Sequence, residues 1–356
     1  MSAPRQRAAL GVAAAVALAA IAASASHARM PDSYWYTSMA ERPIIPGCSS
    51  IACFRVLVSW AMWLLPGIEL KWRIYAVIFN ALAGLAVFDL SLRLGLSRRA
   101  AAIAMALSTF GFGSLWTLFE PFNSDPLIFF LSPLLTRWLL EGRAALVFVV
   151  TSVGVLAKEF IVAPLAIFAL AEAWLHRWPQ AVRTACIATG AFVVWLGLQF
   201  SLIHWYGYNY AGNASAKIGS GGYLWFWLTH EPLTTSLMAQ FVEFGALYFV
   251  MPVGFVKAPP PLKALTVGAI PIACVFCYVQ QPDRALWNFH FLTSPLSAIV
   301  LERLSNRMVV AFVGLFLLAN LRVGAQVSFV PAARYALAAS TLIGLMAAIG
   351  AGRSES

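Results

Sequence analysis

Phe54-Arg55-Val56-Leu57-Val58-Ser59-Trp60-Ala61-Met62-Trp63-Leu64-Leu65 decides how this chain is threaded. The stretch is apolar enough to lie in a membrane, yet it falls short of the roughly 20 residues that a helical span needs. If it crosses, every later loop changes side. If it stops at the surface, the loops keep the sides set by the first apolar run.

The surrounding composition makes a membrane the relevant solvent. Of 356 residues, 61% are hydrophobic and 11% are charged, and the mean hydropathy is +0.79. A water-soluble core of this size would need more polar surface. The formal charge of +10 is spread in ones and twos between apolar runs, as topology signals are. Nothing in that spread forms a nucleic-acid patch.

Hydropathy predicts helices near 8–26, 72–92, 100–119, 125–140, 144–157, 160–175, 184–204, 235–256, 263–280, 285–302, 308–325 and 332–351. The expected fold is an all-α polytopic bundle of about 11–12 transmembrane helices, with a juxtamembrane segment in the first outer loop. It is read as one transmembrane domain, with a module over 8–302 followed by C-terminal helices over 303–356.

Charge counting resolves the crossing. With 54–65 at the surface, 14 of the 24 Lys and Arg are cytoplasmic; with 54–65 crossing, only 9 are. The positive-inside rule therefore keeps the segment at the surface and the N-terminus cytoplasmic. Asp32, Glu41, Glu69, Glu120, Asp125, Glu159, Glu231 and Asp283 then lie at the outer face. Glu141, Glu302 and Glu355 lie inside, with Glu172 near an inner helix end. Asp89, also near an inner end, is expected to pair with Arg93 one turn on. The N-terminus shares features with signal peptides: Arg5 and Arg7, an Ala-rich core, and Ser26-His27-Ala28 before Arg29. Its removal would leave Asp32 outside all the same.

Four outer breaks carry ionisable groups close to the hydrocarbon, where charges are costly unless paired or functional. They are Asp32 to Arg55-Val56-Leu57, Glu120-Pro121-Phe122-Asn123-Ser124-Asp125-Pro126, Lys158-Glu159, and Gln280-Gln281-Pro282-Asp283-Arg284. Residues 144–175 are too short for two full spans, so Lys158 and Glu159 are expected to cap a shallow hairpin facing a polar cavity. The plainer alternative has Lys158 snorkelling and Glu159 paired with a neighbouring base. Aromatics at Tyr206, Tyr208, Tyr210, Tyr223, Trp225, Phe226 and Trp227 suit an interfacial belt or stacking on a sugar ring. Cys48 and Cys53 share the first outer loop, where a disulfide is an open possibility. The five histidines, at 27, 176, 204, 230 and 290, show no ligand spacing, and no metal site is expected.

In these motifs the chain resembles the GT-C superfamily of membrane glycosyltransferases, particularly bacterial relatives of the dolichyl-phosphate-mannose protein mannosyltransferases. The resemblance runs in order through Asp32 to Tyr36, Met39-Ala40, Arg55-Val56-Leu57, Asn123 to Leu127, Lys158-Glu159, and Asp283-Arg284 ahead of a helix containing Pro295. It spans most of 8–302. The chain departs from the family in having one acid near the first motif and Val58-Ser59 where a proline is usual.

The resemblance implies an inverting transfer of a sugar from a polyprenyl-phosphate donor to an acceptor outside the membrane. It implies Asp32 and Asp125 as the catalytic acids. Arg55, Lys158 and Arg284 would serve the donor phosphate, supported by Tyr36, Glu159 and Asp283. The partners implied are membrane lipids, the lipid-linked sugar and an acceptor. No cofactor beyond that donor is implied, although the superfamily has both metal-dependent and metal-independent members. The implied location is a bacterial cytoplasmic membrane, multi-pass, with the site facing outward. A transporter or flippase of a lipid-linked or small polar solute is the competing reading, and an inactive GT-C-like scaffold a third. Acids gathered at one membrane boundary, with no internal repeat, favour the enzyme over the transporter.

This threading predicts that a reporter fused near Arg98 reads cytoplasmic and one near Tyr208 reads extracytoplasmic. The opposite pair of signals would mean that 54–65 crosses.

Overall fold

A computed structural model describes residues 3–25, 31–67, 69–211, 225–226, 229–230, 232–279, 285–323 and 328–353. The chain folds as a polytopic helical membrane protein. Its helices are α1 (Ala3–Ser24), α2 (Pro31–Met39), α3 (Val56–Trp63), α4 (Leu70–Arg93), α5 (Arg98–Thr109), α6 (Phe112–Phe119), α7 (Asp125–Leu140) and α8 (Ala144–Gly154). There follow α9 (Ala163–Trp174), α10 (Trp178–Tyr206), α11 (Leu233–Phe244), α12 (Leu247–Lys257), α13 (Pro260–Val279), α14 (His290–Leu301), α15 (Asn306–Asn320) and α16 (Ala333–Arg353). Two-residue strands, Arg322–Val323 and Ser328–Phe329, pair antiparallel between α15 and α16.

Six stretches among the described residues are long and apolar enough to cross a membrane: Arg7–Ser24, Leu70–Arg93, Arg98–Phe119, Trp178–Tyr206, Pro260–Val279 and Ala333–Gly352. Shorter apolar helices fill the bundle between them, including α8, α12 and α15. At 1.5 Å per residue α8 rises only about 16 Å, roughly half a hydrocarbon core. The 144–175 hairpin is therefore shallow, as its length requires.

The 54–65 segment does not cross. Its helical part, α3, has eight residues. Val56, Val58, Ser59 and Met62 face inward, while Trp63, Leu64 and Leu65 are exposed. The Leu57 amide donates to the Leu156 carbonyl at 3.0 Å, which ties the start of α3 to the α8–α9 turn. An apolar helix too short to span, with one buried edge, fits a surface position and preserves the threading set by α1.

Opposite the Asp32 face, the Lys/Arg-rich breaks form one network. Asp89 accepts from Arg7 at 2.8 Å and from Arg137 at 2.8 Å, joining α1, α4 and α7. Arg137 and Arg143 both reach Glu141, at 2.7 Å each. Arg93, expected to pair with Asp89, instead donates to the Leu140 carbonyl at 2.9 Å. The i,i+4 pair loses to a shared carboxylate because two arginines from other helices satisfy more of its lone pairs.

Two predicted single helices are broken, and one break has a packing cause. The 100–119 run divides at Phe110–Gly111 into α5 and α6. The indole of Trp287 fills the gap, stacked on His290 and lying against Phe244. A Cβ at Gly111 or Gly113 would overlap that indole. The 235–256 run divides at Gly245, whose φ of 52° lies in the left-handed region. α12 also presents Gly254 directly to the Leu296 carbonyl of α14, a closeness only glycine allows. Gly113→Val should lower stability by about 3 kcal/mol or more, since overpacking at a rigid aromatic has no room to relax. A thermal melt of the detergent-solubilised chain checks this, with Gly197→Ala, a mid-helix site where an added Cβ meets nothing, as the control that holds or raises stability.

Candidate functional site

The Asp32 face gathers side chains from α2, the 50–56 segment, the α6–α7 turn and the α8–α9 turn. α2 is the first piece to be positioned. Ser33 Oγ donates to Glu120 Oε1 at 3.1 Å, and Trp116 Nε1 donates to Glu120 Oε2 at 3.0 Å. One turn along, the Tyr36 hydroxyl bonds Ser124 Oγ at 3.3 Å. Ser33 and Tyr36 are three residues apart and share a helix face, so the two contacts fix the rotation of α2. Tyr36 also packs edge-on to Trp72, which meets Tyr75 and Phe122 in the same manner.

Asp125 begins α7. Its amide donates to Asn123 Oδ1 at 2.9 Å, and Pro126 follows where a helix lacks internal donors' partners anyway. The Tyr75 hydroxyl accepts from the Leu127 amide at 3.2 Å, anchoring the same turn to α4. Lys158, buried at 3% exposure, donates from Nζ to Asp125 Oδ1 at 2.5 Å and lies 5.1 Å from the Phe160 ring centroid. Lys158 therefore does not snorkel. It crosses to another helix, because a buried ammonium needs an opposite charge.

The next residue pairs the other way. Arg55 forks onto Glu159, with Nη2–Oε1 at 2.6 Å and Nε–Oε2 at 3.1 Å. Burial opposes charge on both groups, and their mutual attraction wins. The Glu159 carboxyl is held below the usual glutamate range, and the Arg55 guanidinium is held more firmly protonated than usual. Burial raises the Tyr36 phenol above its ordinary value, which keeps it a hydrogen-bond donor at neutral pH, while Arg55 acts in the opposite direction. The two ion pairs stand on consecutive residues of one turn, so the α8–α9 hairpin clamps both α7 and the α3 entry.

The loop that carries Arg55 is braced from behind. Cys48 and Cys53 form a disulfide. Gly47 donates to the Tyr206 carbonyl at 2.8 Å, and Asn209 donates to the Cys48 carbonyl at 2.9 Å. Phe54 stacks on Tyr210 at 4.6 Å and meets Tyr208 edge-on at 5.5 Å. Tyr208 is 2% exposed, so it is packing rather than an interfacial belt. Tyr223 and Trp227, read with it, lie outside the described residues.

Asp32 differs from the other acids here. It sits in the first turn of α2, half-buried, one helical turn before Tyr36 and on the same side. Among the described residues its carboxylate makes no ion pair and accepts no hydrogen bond. The structure thus brings Tyr36, Arg55, Asp125, Lys158 and Glu159 into one connected cluster with Asp32 at its margin. Asp283 and Arg284 lie outside the described residues. No group of three or more His, Cys, Asp or Glu gathers among the described residues. The sequence placed Glu120 and Ser124 at this face without giving either a role, and it did not single out Ser33 or Tyr75. For Ser33 the i,i+3 spacing to Tyr36 was the available signal.

No protein-family model matches the chain, and no curated protein matches it. Solved structures do. ArnT from Cupriavidus metallidurans, in the apo state, aligns with a TM-score of 0.56 and 15% identity, over 98% of this chain and 76% of its own. The oligosaccharyltransferase of Archaeoglobus fulgidus aligns at 0.49 and 13%, over 95% of this chain and 56% of its own. The same organism's AglB, in complex with an inhibitory peptide and a dolichol-phosphate, aligns at 0.49 and 14%, over 95% and 55%. The chain thus spans little more than half the length of the archaeal proteins. The likeness to ArnT shows that this chain shares that protein's helical fold.

Glu159→Gln would strand a buried guanidinium and should cost about 3–5 kcal/mol. Because the folded carboxyl titrates below its unfolded value, the pair's contribution is complete above the ordinary glutamate pKa of about 4.3 and is lost as pH falls through the lowered one. Thermal melts of wild type and Glu159→Gln should differ most at neutral pH and converge in acid. A gap that is constant with pH would contradict the pairing.

Proposed function

We propose that this GT-C-fold protein transfers a sugar from a polyprenyl-phosphate donor to a hydroxyl acceptor, at the Asp32 face of a bacterial cytoplasmic membrane. The observation that carries the reading is the contrast among its acids. Glu120, Asp125 and Glu159 are each occupied, while the Asp32 carboxylate, at the margin of this cationic cluster, has no partner among the described residues.

The chemistry divides between these groups. Asp32 takes the proton from the acceptor hydroxyl as its oxygen attacks the anomeric carbon. The bond from that carbon to the phosphate oxygen breaks, the configuration inverts in the single displacement, and the lipid phosphate leaves with the charge. Arg55, Lys158 and Arg284 offset that charge. An ammonium has three donors and a guanidinium five, so Lys158 and Arg55 can each hold a carboxylate and a phosphate at once. Asp125 and Glu159 keep the two cations in place before the donor arrives, which removes the need to reorganise during the reaction. Tyr36, protonated and wedged between Ser124 and the Arg55 charge, supplies a further donor.

The orientation rests on two features. The basic network lies at the far ends of the helices, where the positive-inside rule puts the cytoplasm. The Cys48–Cys53 disulfide lies on the Asp32 face, which suits an oxidising compartment.

Asp32→Asn should reduce transfer by about a hundredfold or more. It should leave expression and melting temperature unchanged, because among the described residues the carboxylate holds nothing in place. The assay is release of polyprenyl phosphate from a panel of polyprenyl-phosphate pentoses and hexoses, with cell-envelope extract as acceptor. Full activity in the variant would remove Asp32 as the base.

A further inference from the structure

A second feature of this chain lies away from the Asp32 cluster and is independent of the transfer reading. A cavity of about 420 Å³ opens where α15 ends and α16 begins, lined by Ala319, Asn320, Val330, Ala333, Arg334 and Leu337 among others. By the alternation of crossings it opens on the same face as Asp32. Its walls are mostly aliphatic, and its polar groups are few and directed.

Asn320 is 6% exposed, and its amide orientation is fixed. Nδ2 donates to the Phe316 carbonyl at 3.0 Å and to the Phe110 carbonyl at 3.4 Å. With Nδ2 so engaged, Oδ1 is the group that Asn320 has left to offer the cavity it lines, and no donor to it stands among the described residues. Arg334 is exposed at the mouth. It gives one donor to the Tyr335 hydroxyl at 3.0 Å and lies over that ring, and its remaining donors are uncommitted among the described residues. It stands in the first turn of the 21-residue α16, where the helix dipole adds positive potential.

We propose that this cavity seats the headgroup of an anionic phospholipid, with the phosphate on Arg334 and a headgroup hydroxyl donating to Asn320 Oδ1. The aliphatic walls and the outer side of α16 commit the site to a lipid rather than a soluble anion. Tyr335, Leu342, Met346 and Ile349 repeat at helical spacing and are all half or more exposed, which forms a track for the acyl chains that continues from the mouth. Phosphatidylglycerol has both the phosphate and the hydroxyl that the two polar groups require. Phosphatidylcholine has no headgroup donor for Asn320 and carries no net negative charge.

The test is native mass spectrometry of the full chain, released from phosphatidylcholine nanodiscs with and without phosphatidylglycerol. Wild type should retain a phosphatidylglycerol molecule that Arg334→Gln holds about fivefold more weakly, the factor expected for one interfacial basic residue. Leu337→Trp, which fills the cavity and leaves the charge in place, should lose it as well. If Arg334→Gln fails to fold, Leu337→Trp decides. Equal retention by wild type and Leu337→Trp overturns the proposal. So does displacement of the lipid by inorganic phosphate alone, which would make the site one for a soluble anion.

Discussion

A buried charge at the edge of a membrane must be matched, and this protein matches two of them on adjacent residues. Lys158 turns to Asp125 on α7, and Glu159 turns to Arg55 at the entry to α3. With side chains 4–14% exposed, none of the four could remain ionised alone without a penalty of several kcal/mol. Because the two pairs point to different segments, the α8–α9 turn acts as a staple between helices that share little other contact. The shallow 144–175 hairpin follows from the same constraint. Its helices stop short so that the turn bearing both charges stays at the depth of its partners.

The stapling explains why α2 and the first loop can be so well placed without crossing anything. Each is held by polar contacts to a fixed turn: Ser33 to Glu120, Tyr36 to Ser124, Arg55 to Glu159 and Leu57 to Leu156. The disulfide and the Tyr208–Phe54–Tyr210 stack close the loop from the other side. A site assembled this way is rigid before any ligand arrives, and preorganised charge is what phosphate departure requires. Among the described residues Asp32 stands outside the pairing, and the role of general base proposed for it needs that freedom.

Much of this was legible in the sequence because hydropathy and charge report directly on the membrane. The order of helices and the short surface segment at 54–65 followed from those two signals, and the same signals put Asp32, Asp125, Lys158 and Glu159 forward as residues of one face. The pairings did not. Asp125 and Lys158 are 33 residues apart, and nothing local distinguishes a lysine that snorkels from one that crosses to α7. Asp89 shows the reverse error: a local partner at Arg93 was available, and the fold supplied Arg7 and Arg137 instead. The break between α5 and α6 was hidden for the same reason, since its cause, Trp287, lies far along the chain. Gly111 and Gly113 marked the place without naming what fills it. Tyr208 looked like an interfacial aromatic by composition and is buried by contact with a loop that includes Ile45, 163 residues earlier.

The central claim is that the paired cations at this face receive a lipid phosphate beside Asp32. The most direct measurement is a cryo-electron-microscopy structure of the full chain in nanodiscs with polyprenyl monophosphate. The account predicts phosphate density within hydrogen-bond distance of Lys158 and Arg55, both ion pairs still formed, and Asp32 facing the space beside it. Phosphate density elsewhere, with the Asp32 face empty at saturating lipid, would contradict it.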